Sequence, residues 1–162
     1  MFHNQSPSNG RILALDLGKK RIGVAISDPL GITAQGLPTI QRTTLREDVA
    51  VIDGICADQG VTLIVLGLPL HMDGNESRQS QYTREFADYL TGRTGREVRF
   101  WDERMTSVEA GRVLKESGIS IAKRKKAVDK LAAQILLESF LGAQSMMWGD
   151  TDPGPEYEDP LE

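Results

Sequence analysis

The stretch RILALDLGKKRIGVAISD, residues 11–28, decides the fold. Ile12 to Leu15 are apolar without a break, the pattern of a strand buried on both faces. Asp16 and Leu17 close that run, Gly18 and the basic Lys19-Lys20-Arg21 form a tight turn, and a second apolar run begins at Ile22. The spacing predicts strands at about 11–17, 21–27 and 33–40, joined as an antiparallel meander. A carboxylate at the end of a buried strand is costly to desolvate unless something positive meets it. Asp16 therefore asks for a cationic partner.

Working outward, Leu45, Val49, Ile52 and Cys56 recur at helical spacing within residues 43–59. The run VTLIVLG, 61–67, is short and apolar, as a buried parallel strand would be. Asn75 is a candidate cap for a helix over about 76–91, with Tyr82, Phe86 and Tyr89 on one face. EVRFWDE, 97–103, is expected to be a strand, and Thr106-Ser107-Val108-Glu109 has the spacing of a capping box opening a helix that ends before Gly118. A last helix is expected over 126–147, with Val128, Leu131, Ala132, Ile135, Leu136 and Phe140 as its inner stripe. This order fits an α/β fold: a five-stranded mixed sheet, a three-strand meander plus two parallel strands, with helices on both faces. The ribonuclease H-like fold has this order.

The chain of 162 residues has the size of one domain. Its formal charge of −4 conceals an asymmetry, because residues 149–162 carry six acids and no Lys or Arg. Residues 1–148 hold 17 acids and 19 bases, a net of +2. The expected organisation is a frayed stretch at 1–9, one domain at 10–148 and an acidic disordered tail at 149–162. No apolar run is long enough to cross a bilayer, and MFHNQSPSNGR lacks the regions of a signal peptide, so a cytoplasmic protein without membrane partners is expected. The single cysteine, Cys56, excludes an internal disulfide and a cysteine-built zinc site, and its position suits a small core residue.

Acids recur at the ends of buried elements. VRFWDER puts Asp102 and Glu103 at the end of a parallel strand, facing opposite sides, and the pattern alone does not choose between them. Asp129 precedes Leu136 by seven residues, which returns to within about 20° on a helix, so it continues the inner stripe toward the sheet. Singly, each acid has a plain explanation: a turn residue, a partner for Arg104, a favourable charge at a helix start. Together they fall at one edge of the sheet, where the carboxyl ends of parallel strands gather sites. Clustered carboxylates repel, and divalent cations relieve that repulsion, with hard oxygen ligands suiting Mg²⁺ or Mn²⁺, one ion or two. Gly18 would let a phosphate come close, with Lys19, Lys20 and Arg21 as phosphate contacts. The run Lys123, Arg124, Lys125 and Lys126 lies just before Asp129 and suits gripping of a nucleic-acid backbone with little sequence readout. His3 and His71 stand alone, and a metal-activated water needs neither.

The DLG after the first strand, IGVAISD, VLGLPLHMDG (65–74), WDER (101–104) and VDKLAAQILLES (128–139) resemble the YqgF/RuvX family, in order, over roughly residues 11–146. The resemblance implies a ribonuclease H-like fold related to the resolvase RuvC. Members are described as Holliday junction resolvases or, in bacteria, as nucleases maturing the 5′ end of pre-16S ribosomal RNA. Carried over by position, Asp16, Glu103 and Asp129 match the acidic triad, as catalytic and metal-holding residues; the resemblance selects Glu103 over Asp102. Gly67-Leu68-Pro69 matches a loop at the site edge. RuvC-type resolvases often place a fourth acid three residues beyond the helix acid, where this chain has Ala132.

The expected activity is a metal-dependent nuclease, a hydrolase of phosphodiester bonds, with Arg104 joining the basic residues that contact nucleic acid. RNA is the favoured partner, as pre-16S rRNA, with a pre-ribosomal particle as a further expected partner; the alternative is a four-way DNA junction, and a monomer or homodimer is expected. Two other readings fit parts of the sequence. DLGKKRIGVAISD also resembles the first phosphate loop of sugar-kinase and actin-type ATP-binding domains, but those enclose nucleotide between two domains. A silent nucleic-acid-binding module would gain by losing acids near phosphates, whereas all three are present.

Overall fold

In a computed structural model of the chain, residues 10–70, 77–105 and 131–144 are described. Asp129, the run Lys123–Lys126, the capping box at Thr106, Asn75, Val128, both histidines and the segments 1–9 and 149–162 lie outside the described residues.

The meander forms where the sequence puts it: β1 (Arg11–Leu17), β2 (Arg21–Ser27) and β3 (Ala34–Gln41). They are followed by α1 (Leu45–Gln59), β4 (Val61–Leu68), α2 (Arg78–Thr94) and β5 (Glu97–Asp102), and residues 131–144 are helical, α3. The five strands make one sheet in the order β3-β2-β1-β4-β5. β1 pairs antiparallel with β2 and parallel with β4, and β4 pairs parallel with β5. The carboxyl ends of β1, β4 and β5 therefore share one edge.

Alternation along the strands splits the core in two. Leu13, Leu15, Leu17, Ile64 and Leu66 face α1 and α2, where they meet Val49, Ile52, Cys56, Phe86 and Leu90. Ile12, Ala14, Leu63 and Val65 face the other way and pack on Ala133, Leu136, Leu137, Phe140 and Leu141 of α3. Each fully buried Leu, Ile or Phe contributes about 1.5–3 kcal/mol, so both layers hold the edge of the sheet rigid.

Helix boundaries follow their caps. Thr44 opens α1 by accepting from the Glu47 amide, and Gly60, at φ 69°, ends it in the left-handed region that favours glycine. α2 is capped by Ser77 rather than Asn75: Ser77 accepts from the Ser80 amide at 3.0 Å while its own amide donates to the Ser80 hydroxyl at 2.8 Å. The Ser77 hydroxyl also donates to the Pro69 carbonyl, tying the helix start to the end of β4. The buried side of α2 is Ser80, Thr83, Phe86, Ala87 and Leu90, so the expected aromatic face is corrected: Tyr82 is half-buried and Tyr89 is exposed. The stripe of α3 shifts similarly, with Leu131 and Ala132 half-buried and Ala133, Leu137 and Leu141 buried beside Ile135, Leu136 and Phe140. Cys56 is fully buried, and burial pushes its thiol up to about 11, as fits a core residue.

Candidate active site

Asp16 is the penultimate residue of β1 and shares the parity of Ile12 and Ala14, so it belongs to the α3 face of the sheet. The choice between Asp102 and Glu103 follows from β5. Val98 and Phe100 pack toward α1 and α2, while Trp101 packs toward α3. Asp102 continues the first set and Glu103 the second. Glu103 opens a single 3-10 turn, Glu103–Met105, directly after the strand.

The strand between them makes room. β4 lies between β1 and β5, and its α3 face reads Leu63, Val65, then Gly67. A Cβ on Gly67 would come within 2.5 Å of Glu103 Oε2 and 2.8 Å of Leu136 Cδ1. Glycine there leaves the gap in which the Glu103 carboxyl reaches back across β4 to Asp16. The two carboxyl groups are hydrogen-bonded. Burial first, then the Asp16 charge and that hydrogen bond, push Glu103 up from 4.5 to about 8, with Asp102 adding a smaller repulsion. A carboxyl raised by burial and by a neighbouring acid is a group whose charged form a cation would stabilise.

Asp102 has a different role. Arg104 Nε donates to it at 2.9 and 3.0 Å and Nη2 at 2.6 Å, and the guanidinium holds Asp102 below the usual carboxylate range. Arg104 is thereby held, exposed, next to Glu103. Lys19 and Lys20 form the exposed tip of the β1–β2 hairpin, with Arg21 half-buried behind them. Gly18 has an internal reason to lack a side chain: its amide donates to the Arg21 carbonyl at 2.9 Å, and a Cβ would stand 2.7 Å from that oxygen.

The structure thus brings together Asp16 and Glu103, with the Lys19–Lys20 tip beginning three residues beyond Asp16 in sequence. Among the described residues no group of three His, Cys, Asp or Glu side chains is placed to hold a metal ion. Gly67 and Leu68, expected in a loop at the site edge, are instead the last residues of β4, and the glycine interrupting an apolar strand marks a close approach. The feature that sequence reasoning missed is Arg42, whose guanidinium links the hairpin tip to α1 and α2.

The donor set, two carboxylates on a buried face beneath a side-chain-free strand residue, fits a hard divalent cation such as Mg²⁺ or Mn²⁺. The sheet order, the parallel triplet and the acid at the end of the first strand define a ribonuclease H-like α/β domain. The same architecture is found in Thermus thermophilus RuvC in complex with a Holliday junction substrate, with a TM-score of 0.52, 11% identity, and coverage of 84% of this chain and 96% of that one. The family model RuvX, described as Holliday junction resolvase, matches residues 10–143, and the chain belongs to that family. A Koribacter versatilis protein described as "Putative pre-16S rRNA nuclease" is 51% identical over 136 residues, 84% of this chain and 89% of that one. A Myxococcus xanthus protein of the same description is 45% identical over 146 residues, 90% and 95% of the two chains. Among the described residues no helix is long and apolar enough to cross a membrane.

Proposed function

We propose that the chain is a divalent-metal-dependent nuclease that hydrolyses phosphodiester bonds in RNA and trims the 5′ end of pre-16S ribosomal RNA. The observation that carries this reading is the meeting of Asp16 and Glu103 over Gly67, at the shared carboxyl edge of three parallel strands. A purely structural pair of half-buried, mutually repelling carboxylates would be a net cost, and a binding module would do better without negative charge where phosphates come. The descriptions of the Koribacter and Myxococcus relatives supply the substrate.

Asp16 and Glu103 would hold the cation, with Asp129 as the third ligand. When bound, Mg²⁺ or Mn²⁺ supplies the charge that offsets the acids and stabilises the charge developing at the phosphodiester. Around that centre the chain's own residues bind and orient. Lys19, Lys20 and Lys123 to Lys126 neutralise backbone phosphates, while Arg104, aimed by Asp102, presents a fixed guanidinium beside the scissile group. Such contacts position a strand without reading its bases, as suits an enzyme that meets one folded precursor.

A four-way DNA junction is the second substrate to test, because the matching family model carries that description. Purified protein is incubated with labelled precursor rRNA, single-stranded RNA and a four-way junction, each with Mn²⁺, Mg²⁺ or chelator, beside Asp16→Asn. Metal-dependent cleavage of the precursor near the mature 5′ end, lost in Asp16→Asn, is expected. Symmetric cleavage of the junction with the RNAs intact would overturn the RNA assignment.

A further inference from the structure

Arg42 follows the last residue of β3 and is placed where three elements converge. Its Nη1 donates to the Gly18 carbonyl at 2.9 Å, its Nε to Asp48 of α1 at 3.2 Å, and its Nη2 to the Tyr82 hydroxyl of α2. Its backbone amide donates to the Lys20 carbonyl at 2.9 Å. The guanidinium also lies 5.4 Å from the centre of the Tyr82 ring and 5.7 Å from that of Phe86, within cation–π range. Asp48, 2% exposed, is fixed in turn by the Thr43 amide at 3.0 Å.

A buried ion pair of this kind roughly breaks even against well-packed apolar residues, so fold stability alone gives little reason for it. What it accomplishes geometrically is specific. Both backbone contacts made by Arg42 fall on carbonyls of the β1–β2 hairpin tip, Gly18 and Lys20, and they flank Lys19. Without that guanidinium the tip of exposed lysines keeps the Gly18–Arg21 bond, the bond from the residue 42 amide to Lys20, and the flanking ladder pairs Leu17–Ile22 and Arg21–Gln41; what the guanidinium adds is the tie from Gly18 to α1 and α2. The strand leading into that tip carries Asp16, three residues before Lys19.

We propose that Arg42 is a positioning residue for substrate: by holding the Gly18 carbonyl against α1 and α2, its guanidinium fixes the Lys19–Lys20 tip near Asp16, where the ammonium groups of the tip meet the RNA backbone. The proposal rests on the nuclease reading for its substrate. A lysine at position 42 would keep the charge but could not serve three acceptors in one plane. Asp48 and Tyr82 are the struts that hold the guanidinium, and the substrate never touches any of the three.

The test uses the full chain, precursor rRNA with Mn²⁺, and the variants Arg42→Met and Arg42→Lys, each alone and with Lys19→Ala/Lys20→Ala. Arg42→Met is expected to raise KM about tenfold with kcat within about twofold, and to lower the slope of log affinity against log salt by about 1.4, two phosphate contacts at about 0.7 each. In the Lys19→Ala/Lys20→Ala background the same change should alter KM by less than about twofold, because the groups through which Arg42 acts are gone. Amide exchange should quicken at residues 18–21 and stay unchanged in β4. Arg42→Lys should give an intermediate KM, which keeps the test available if Arg42→Met does not fold. Effects that multiply in the combined variants, or tip exchange unchanged in a folded Arg42 variant, would overturn the proposal. A wild type that binds RNA with these same couplings but never cleaves it would overturn the nuclease reading and leave Arg42's role standing. A wild type that neither binds nor cleaves RNA would overturn both.

Discussion

Replacing Glu103 by glutamine should stabilise the metal-free protein, and only above a definite pH. In the folded chain Glu103 takes up its proton far more readily than in the unfolded chain, with the carboxyl raised from 4.5 to about 8 by burial and by Asp16. Below pH 4.5 the group is protonated in both states and costs nothing. Between 4.5 and about 8 the folded state holds more protons than the unfolded one, so stability falls as pH rises, and the full penalty is present above 8. Each tenfold in proton affinity is about 1.4 kcal/mol, which sets a ceiling of about 4–5 kcal/mol. A proton shared with Asp16, and water reaching a site at the sheet edge, bring the expected cost to about 2–3 kcal/mol. Glutamine keeps a donor toward Asp16 and carries no charge, so it imitates the protonated acid at every pH. Urea unfolding in chelator should therefore show Glu103→Gln about equal to wild type at pH 4.5 and about 2–3 kcal/mol more stable at pH 9. Excess Mn²⁺ at pH 8 should stabilise the wild type and leave the variant nearly unmoved. A difference between the two proteins that does not change with pH would refute the reasoning.

Three further outcomes follow from the geometry. Gly67→Ala sets a methyl 2.5 Å from Glu103 Oε2 and 2.8 Å from Leu136 Cδ1; it should cost about 1–3 kcal/mol in urea unfolding and sharply reduce RNA cleavage. Asp102→Asn and Glu103→Gln, one residue apart but on opposite faces of β5, should behave differently: cleavage within several-fold of wild type for the first and abolished for the second. Asp48→Ala leaves the Arg42 guanidinium without its buried partner and should lower stability by about 3–5 kcal/mol in the same unfolding assay.

Much of this fold can be read from periodicity because the parallel strands and α1 bury residues at regular intervals. The runs in β1 and β4 are continuous because both faces of those strands are covered, and Leu45, Val49, Ile52 and Cys56 mark α1 directly. β5 is harder: it is the edge strand, its residues are only exposed or half-buried, and so the pattern could not tell Asp102 from Glu103. The packing of Trp101 against Phe140, and its indole donating to the Ser139 hydroxyl, are what distinguish the faces. The cap of α2 was misplaced because Ser77 and Ser80 perform the reciprocal bonding that Glu or Gln usually completes. Arg42 could not be found at all from local pattern, since its partners Gly18 and Tyr82 lie 24 and 40 residues away. The expectations placed on Asp129 and on Lys123 to Lys126 concern residues outside those described.

Asp16 and Glu103 are held here to be a cation site, and a crystal of the protein soaked in Mn²⁺ examines that directly. An anomalous difference peak is expected between the Asp16 and Glu103 carboxylates, on the α3 side of Gly67, and is expected to vanish in Asp16→Asn. Manganese bound elsewhere, with those two carboxyl groups still sharing their proton, would contradict it.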